Sequence, residues 1–236
     1  MNLLKECILF DLYGTLLELK VDESSDSFWE QLEKAFSEFN KSVTKENLKR
    51  IFQSTTQRSD LKEGFMMNTV FSEFLKELGL TNTKKNKLLI ASIFRKISLT
   101  KLQKLEYVDD LFEILKKNKI KIGLVSNTEM LLTSYDLKAT QLNDQFDCIS
   151  LSSEVGVKKP NKEIFYHCIN KLNTTVDSCI MIGDNFVEDI DGANAIGMDA
   201  IYVGDKKIVS PNKKIRFCKT SFSSIYHMLQ ECGYQL

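Results

Sequence analysis

Asp11, Ser126 and Asp184 each stand at the end of a short apolar run, and Lys159 lies in a polar segment between the last two of them. Two carboxylates, a hydroxyl and an ammonium group form a set that can hold a divalent cation together with an anion. Mg²⁺ suits such a set, because it prefers one or two carboxylates beside water and substrate oxygens. The residue types therefore predict a magnesium and anion site, provided that the fold brings these four side chains together.

The elements that carry these residues follow two alternating patterns. Short continuous apolar runs indicate buried strands, and apolar residues spaced at three and four indicate helices. The predicted strands cover residues 7–10, 120–125, 146–151, 179–182 and 200–203. The predicted helices after residue 105 cover residues 111–117, 161–172, 187–196 and 222–232. This alternation predicts an α/β fold with a Rossmann-like parallel sheet, whose strands end at one shared edge where ligands bind.

The middle of the chain departs from this alternation. Between residues 19 and 104 glycine is scarce and apolar residues recur at helical spacing, which predicts a block of about four helices. We therefore expect an α/β core formed by residues 1–18 and 105–236, with an all-helical cap domain inserted over residues 19–104. Three side chains of this block are candidates to reach an anion: Arg50, Arg58 and Arg95.

The charge balance limits the partners. The chain has 236 residues, with 32 Lys+Arg against 32 Asp+Glu and a formal net charge of +0. Nucleic-acid-binding proteins usually carry a basic excess, so we expect a small-molecule substrate and no nucleic acid. The apolar runs are much shorter than the ~20 residues of a membrane-spanning helix, and the N-terminus lacks the pattern of a signal peptide. We expect no membrane partner.

The six cysteines form no CxxC pair, and most of them lie inside apolar runs. Such thiols behave as small buried hydrophobes, which predicts reduced cysteines and a cytoplasmic location. The sequence also contains no GxGxxG or GxxxxGK[ST] motif. We therefore exclude the dinucleotide-binding and P-loop functions that these motifs serve.

Four segments, in chain order, resemble the motifs of the haloacid dehalogenase-like (HAD) hydrolase superfamily. Residues 10–16 read Phe-Asp-Leu-Tyr-Gly-Thr-Leu and resemble the first motif, a strand followed by the nucleophilic aspartate. Residues 124–127 resemble the second motif, residues 159–160 the third, and residues 183–189 the fourth. Each segment lies in the predicted structural context, and the helical block lies where this family inserts a cap.

The resemblance implies a covalent mechanism with a metal ion. Asp11 would attack the substrate and form an aspartyl intermediate, and its carboxylate would hold Mg²⁺ together with Asp184. Asp189 would support the metal site by outer contacts or through water. The backbone carbonyl of Tyr13, two residues after the nucleophile, would be a further ligand.

The same resemblance implies an anion-binding group. Ser126 and Asn127 would bind substrate oxygens, and Lys159 would neutralise charge on both Asp11 and the anion. Lys158 is an adjacent rival, but the lysine directly before the proline is the one that matches the family. For phosphoryl transfer this set suffices in outline, because catalysis is mostly positioning and charge stabilisation.

Tyr13 departs from the pattern of the phosphatases in this family. These generally carry a second aspartate at this position, which protonates the leaving oxygen and then activates water. That help is worth roughly 10²–10⁴-fold, and a tyrosine with an ordinary pKa of ~10 is a poor substitute. The segment with tyrosine instead resembles the haloacid dehalogenases, in which the aspartate displaces halide from carbon without a metal.

The fourth motif instead favours a metal-dependent enzyme. The dehalogenases typically have a Ser-Ser-Asn…Asp arrangement there, whereas this chain has Gly183-Asp184 and Asp189, which is the metal-site form. Without a cation, these carboxylates would raise the pKa of Asp11 by like-charge repulsion and would repel an anionic haloacid. We therefore expect a Mg²⁺-dependent phosphatase of a small phosphomonoester that works through an aspartyl-phosphate intermediate. Two alternatives stay open: a 2-haloacid dehalogenase-type hydrolase, and a weakly active or non-catalytic binding protein.

Overall fold

The computed structural model describes residues 5–58, 66–204, 215–218 and 221–236, and of residues 215–218 only the backbone. The elements up to the middle of the chain are β1 (Cys7–Phe10), β2 (Leu17–Val21), α1 (Asp26–Phe36), α2 (Lys45–Thr56), α3 (Met66–Glu77), α4 (Lys84–Ser98), β3 (Leu99–Lys104) and α5 (Val108–Lys117). The later elements are β4 (Lys121–Ser126), α6 (Met130–Ala139), β5 (Cys148–Leu151), α7 (Ser152–Val155), α8 (Lys162–Lys171), β6 (Cys179–Gly183), α9 (Gly192–Ala195), β7 (Asp199–Val203), β8 (Ile215–Cys218) and α10 (Phe222–Glu231). A 3₁₀ turn covers Val176–Ser178, and a π-helical turn covers Phe186–Asp191.

Six of these strands form one sheet in the order β5-β4-β1-β6-β7-β8, and every neighbouring pair is parallel. The central strand β1 is buried on both faces, which explains why its sequence is continuously apolar rather than alternating. Ile8 and Phe10 join the apolar cluster on one face of the sheet, and Cys7 and Leu9 join the cluster on the other.

The fold class and all five predicted strands of the sheet are confirmed. The sixth strand, β8, lacks a clear apolar run and was not predicted. Because the six strands are parallel, their carboxyl ends share one edge, and β1, β4 and β6 end there with the polar residues that the sequence singles out. Four buried cysteines, Cys7, Cys148, Cys168 and Cys179, are free thiols.

Helices α1 to α4, which we call the helical insert, lie between β2 and β3. They bury an apolar cluster of their own, centred on Phe28, Trp29, Phe71 and Phe94. Three of the helices begin at a side chain that accepts a hydrogen bond from a backbone N–H of the first turn, as expected of N-caps: Ser25, Thr44 and Thr83. The four predicted helices are present, whereas the extent of a cap domain, 19–104, stays a prediction.

One correction concerns the two ends of the helical insert. The sequence pattern favoured helix up to residue 104, but Leu99–Lys104 is a strand that pairs antiparallel with Leu17–Val21. Both strands are short and mix leucine with lysine or glutamate, so neither shows a period that separates strand from helix. The pairing of Leu17 with Lys104 places the two connections between the sheet and the helical insert side by side.

Helix α6 was not predicted, because its apolar residues lie on more than one face. Leu131 and Leu132 pack against the cluster of the helical insert, whereas Leu137 belongs to the cluster of the sheet. A helix that serves two apolar clusters has no single apolar stripe. Within the residues described, none of the helices combines the length and the apolar character needed to cross a bilayer.

Candidate active site

Asp11 is the first residue after β1, at the shared edge of the sheet. Its backbone N–H donates to the carbonyl of Ile182 over 2.9 Å, which extends the strand pairing with β6 by one residue. Asp184 directly follows β6 at the same edge. The two carboxylates that stand 173 positions apart in the chain are thus neighbours because their strands are neighbours.

Lys159 joins these carboxylates from the loop before α8. Its ammonium nitrogen lies 2.5 Å from Asp11 Oδ1 and 2.6 Å from Asp189 Oδ1, and the residue is only 3% exposed. Burial alone would lower the pKa of Lys159, but the charges of Asp11 and Asp189 outweigh it and raise that pKa. Lys159 is therefore held as a cation between two carboxylates. The structure brings this lysine, rather than Lys158, to the site.

The side-chain amide of Asn127 holds the backbone of Lys159. Its oxygen accepts from the Lys159 N–H over 2.7 Å, and its nitrogen donates to the Lys159 carbonyl over 3.0 Å. Both polar ends of the amide are engaged, so the geometry gives Asn127 a positioning task, while its contact with substrate stays a prediction. Ser126, at the end of β4, is 1% exposed.

Asp11, Asp184 and Asp189 each offer a ligand oxygen, and these oxygens all lie within 4.8 Å of one another. Burial, together with the charge of Asp11, raises the pKa of Asp184. Burial raises the pKa of Asp189 to about 7, since the like charge of Asp11 adds to it and Lys159 only partly opposes it. Carboxylates that resist ionisation in this way are carboxylates that a cation would stabilise.

Asp189 lies in the π-helical turn, a feature that is often found at functional sites. Its Oδ2 accepts from the Asn185 N–H over 3.0 Å, and its Oδ1 accepts from Lys159. Asp189 itself is fully buried. With both oxygens engaged, Asp189 fits a supporting contact better than direct coordination of a metal.

Two glycines are required by the close approach of these carboxylates. Gly14 has a φ of +85°, and a Cβ atom there would lie 2.2 Å from Asp184 Oδ2. A Cβ atom on Gly183 would lie 2.2 Å from Asp189 Oδ2. No side chain fits at either position without moving a carboxylate of the cluster.

Thr15 is a site residue that sequence reasoning missed. Its hydroxyl donates to Asp184 Oδ1 over 3.2 Å, and its carbonyl accepts from the Tyr107 hydroxyl. The signal was present, because Thr15 belongs to the segment 10–16 that resembles the first motif. The hydrogen bond fixes the orientation of the Asp184 carboxylate.

The hydroxyl of Tyr13 contacts a side chain of α6. The hydroxyl donates to Asp136 Oδ2 over 2.5 Å, and Arg95 Nε of the helical insert lies 3.3 Å from the same oxygen. Asp136 is fully buried and Arg95 is 6% exposed. Burial, followed by the neighbouring Asp136, raises the pKa of Tyr13 well above its ordinary range. Tyr13 therefore keeps its proton, and that proton is directed at Asp136.

Asp136 and Arg95 were not predicted as partners of Tyr13. Arg95 was one of three candidates to reach an anion, and in the structure it contacts the carboxylate of Asp136. Asp136 lies on the helix that the sequence pattern did not reveal. His167 shares a 2.7 Å hydrogen bond with Ser150.

The donor set fits a hard divalent cation. Asp11 and Asp184 each keep a second oxygen, Oδ2, that accepts none of the hydrogen bonds from Lys159 or Thr15. Mg²⁺ is usually held by one or two carboxylates together with waters and substrate oxygens. Asp11 and Asp184 would hold it, and the cation would offset the surplus negative charge.

Comparison with known proteins identifies the family. The family model of haloacid dehalogenase-like hydrolases matches residues 5–197. The chain belongs to this family and is a hydrolase, as the four motifs predicted.

Curated relatives match over shorter segments. A pyrimidine 5′-nucleotidase, YjjG of Escherichia coli, is 36% identical over 83 residues, 35% of this chain and 37% of the relative. A glyceraldehyde 3-phosphate phosphatase of Methanothermobacter thermautotrophicus is 33% identical over 92 residues, 39% of this chain and 41% of the relative. The matched segments span about two fifths of these relatives, so whole-protein activities are not carried over from them.

Solved structures match over nearly the whole chain. A HAD phosphatase from Thermococcus onnurineus covers 98% of this chain and 100% of its own, with a TM-score of 0.61 and 20% identity. A 2-haloacid dehalogenase from Pseudomonas syringae pv. Tomato covers 96% and 98%, with a TM-score of 0.64 and 19% identity. At these identities the similarity establishes the fold alone.

Proposed function

We propose that this hydrolase is a Mg²⁺-dependent phosphatase of small phosphomonoesters, with Asp11 as its nucleophile. The observation that carries the proposal is the buried ammonium group of Lys159 between Asp11 and Asp189, beside Asp184. This arrangement pairs a nucleophilic carboxylate with the positive charge that an incoming phosphoryl group needs. Phosphatase names among the curated relatives support the same reaction class.

The chemistry follows from the positions of the side chains. An oxygen of Asp11 attacks phosphorus, and the bond from phosphorus to the leaving oxygen breaks, which yields a phosphorylated aspartate. Lys159 offsets the charge of both Asp11 and the phosphoryl oxygens, while Ser126 contributes a hydroxyl to them. Asn127 keeps Lys159 in position through its backbone. A bound Mg²⁺ would supply further charge stabilisation at Asp11 and Asp184.

The substitution Asp11→Asn tests the nucleophile. We expect it to abolish Mg²⁺-dependent release of phosphate from acetyl phosphate and p-nitrophenyl phosphate, because the amide cannot form the acyl phosphate. Asp177→Asn, which changes an exposed aspartate in the 3₁₀ turn, is the matched control and should keep full activity. Retained turnover by a folded Asp11→Asn protein would exclude the mechanism.

Chelation separates the proposal from dehalogenation. Phosphate release should stop in EDTA and return with Mg²⁺. Release of chloride from 2-chloropropionate that survives EDTA would favour the dehalogenase alternative. Absence of turnover on every phosphoester and haloacid would favour a binding protein.

A further inference from the structure

Tyr13 occupies the position at which a leaving-group acid would be expected, yet its hydroxyl proton is already donated in a hydrogen bond. A phenol carries one proton, and the Tyr13 hydroxyl donates it to Asp136 over 2.5 Å. The accepting carboxylate is fully buried and is also contacted by Arg95 at 3.3 Å. A proton that a half-buried tyrosine donates to a fully buried carboxylate is not available to an oxygen of the substrate.

Two helices supply the side chains that surround the Tyr13 hydroxyl. Asp136 belongs to α6, and Arg95 belongs to α4 of the helical insert, so the tyrosine hydroxyl is directed toward the contact between these helices. To protonate a leaving group, Tyr13 would have to abandon Asp136 and leave a buried carboxylate with one partner fewer. Removing a hydrogen-bond partner from a buried carboxylate is energetically unfavourable. The ground-state geometry therefore disfavours Tyr13 as a general acid.

We infer that the enzyme acts on monosubstituted phosphates whose leaving group departs without a proton, above all acyl phosphates and aryl phosphates of acidic phenols. This inference rests on the proposed function and specifies the leaving groups that the site accepts, which include the acyl groups of mixed anhydrides as well as the phenols of aryl phosphomonoesters. For an acyl phosphate, an Asp11 oxygen bonds to phosphorus while the phosphorus–oxygen bond to the acyl group breaks. The acyl oxygen keeps the electron pair and leaves as a carboxylate, so no proton is transferred.

The second step, hydrolysis of the phosphorylated Asp11, also proceeds without a proton donor for the leaving group. The phosphorylated Asp11 is itself an acyl phosphate, and its leaving group is the Asp11 carboxylate. Water bonds to phosphorus, and the bond from phosphorus to Asp11 breaks with its electron pair staying on the Asp11 carboxylate. One water proton stays on the new P–OH group of the departing phosphate, and the other is released to solvent. Neither step needs an acid at position 13, whereas an alkyl phosphate would require its strongly basic alkoxide to leave unprotonated.

The test is the dependence of kcat/KM on the basicity of the leaving group. The substrates are acetyl phosphate, 2,4-dinitrophenyl, p-nitrophenyl and phenyl phosphate, and ethyl phosphate, each with Mg²⁺. We expect kcat/KM of the unaltered enzyme to fall steeply along this series. A shallow dependence would overturn the inference and indicate that another group protonates the leaving oxygen.

Two variants locate the effect at position 13. Tyr13→Phe removes the hydroxyl and should leave the ratio of acetyl to ethyl phosphate turnover unchanged, whatever happens to the absolute rate. A ratio that rises in this variant would mean that the tyrosine does donate its proton, and would overturn the inference. Tyr13→Asp supplies a short carboxyl group, and we expect it to lower the ratio by about 10²-fold or more.

The outcomes separate the inference from the proposed function. If the unaltered enzyme releases no phosphate from any member of the series, the proposed function fails. If it hydrolyses them with a shallow dependence, the function stands and the inference fails. If Tyr13→Asp does not fold, the substrate series on the unaltered enzyme and the ratio of acetyl to ethyl phosphate turnover in Tyr13→Phe still test the inference.

Discussion

At the candidate nucleophile, one ammonium group faces three carboxylates. Lys159 contacts Asp11 and Asp189, and Asp184 lies next to them with its carboxylate oriented by Thr15. The formal neutrality of the chain conceals this local surplus of negative charge. A buried carboxylate without a compensating charge is costly, so Lys159 is as important to the folded state as to the chemistry.

Replacing Lys159 by methionine should therefore destabilise the protein. The change keeps the apolar stem but leaves two buried carboxylates without their ammonium partner. We expect the free energy of unfolding in EDTA to fall by about 3–5 kcal/mol, as measured by urea denaturation. Lys158→Met is the matched control, and its effect should stay below about 1 kcal/mol. Equal losses in the two variants would show that Lys159 has no special role in stability.

The residues that the sequence identified are those that follow strands. Asp11, Ser126 and Asp184 could be predicted because parallel strands end at a common edge, and Lys159 because it matched a motif. Asp136 could not be predicted, because only packing of α6 against the tyrosine brings it to the site. A side chain that acts through tertiary contact leaves no local signal in its own sequence.

At the scale of elements, regular strands and helices with a single apolar stripe were predictable, whereas elements with a mixed environment were not. The predicted helix 187–196 is instead a π-helical turn, Phe186–Asp191, followed by the short helix Gly192–Ala195. The turn places Asp189 so that its carboxylate accepts from the Asn185 N–H. The apolar periodicity of the sequence carries no signal for this contact or for the contact of Asp189 with Lys159.

The start of α3 depends on a carboxylate from outside the helical insert. Glu129, just before α6, accepts from the Met67 N–H over 2.9 Å and from the Asn68 N–H over 3.0 Å. A carboxylate at a helix N-terminus satisfies backbone donors and interacts favourably with the helix dipole. Glu129, before α6, therefore contacts α3, while Asp136 within α6 contacts Arg95 of α4.

The substitution Glu129→Gln tests this contact. The amide keeps one acceptor oxygen but loses the charge and one of the two hydrogen bonds, so we expect a loss of about 1 kcal/mol. Hydrogen exchange should accelerate at the Met67 and Asn68 amides. Glu154→Gln, on an exposed side chain of α7, is the control and should leave these amides unchanged. Unchanged protection in Glu129→Gln would mean that α3 is held by its apolar face alone.

At the scale of the whole molecule, the acidic cluster couples folding to protons and to metal. Burial holds the pKa of Asp189 at about 7 in the folded protein, against an unfolded value of about 3.9. A carboxyl group with a raised folded pKa contributes stability that is complete below pH ~4 and is lost as the pH rises through ~7. In EDTA, this group therefore makes the folded state less stable at pH 8 than at pH 5.5.

Mg²⁺ should reverse this trend, because it binds the ionised carboxylates and displaces their protons. We expect the stabilisation by Mg²⁺, measured as the difference in Tm with and without EDTA, to be larger at pH 8 than at pH 5.5. Protons should be released on titration with Mg²⁺ near neutral pH. In Asp189→Asn the dependence on pH should weaken, because the group that titrates near 7 is gone while Asp11 and Asp184 remain to hold the cation. If stabilisation by Mg²⁺ were equal at both pH values, Mg²⁺ binding would not be linked to ionisation of this cluster.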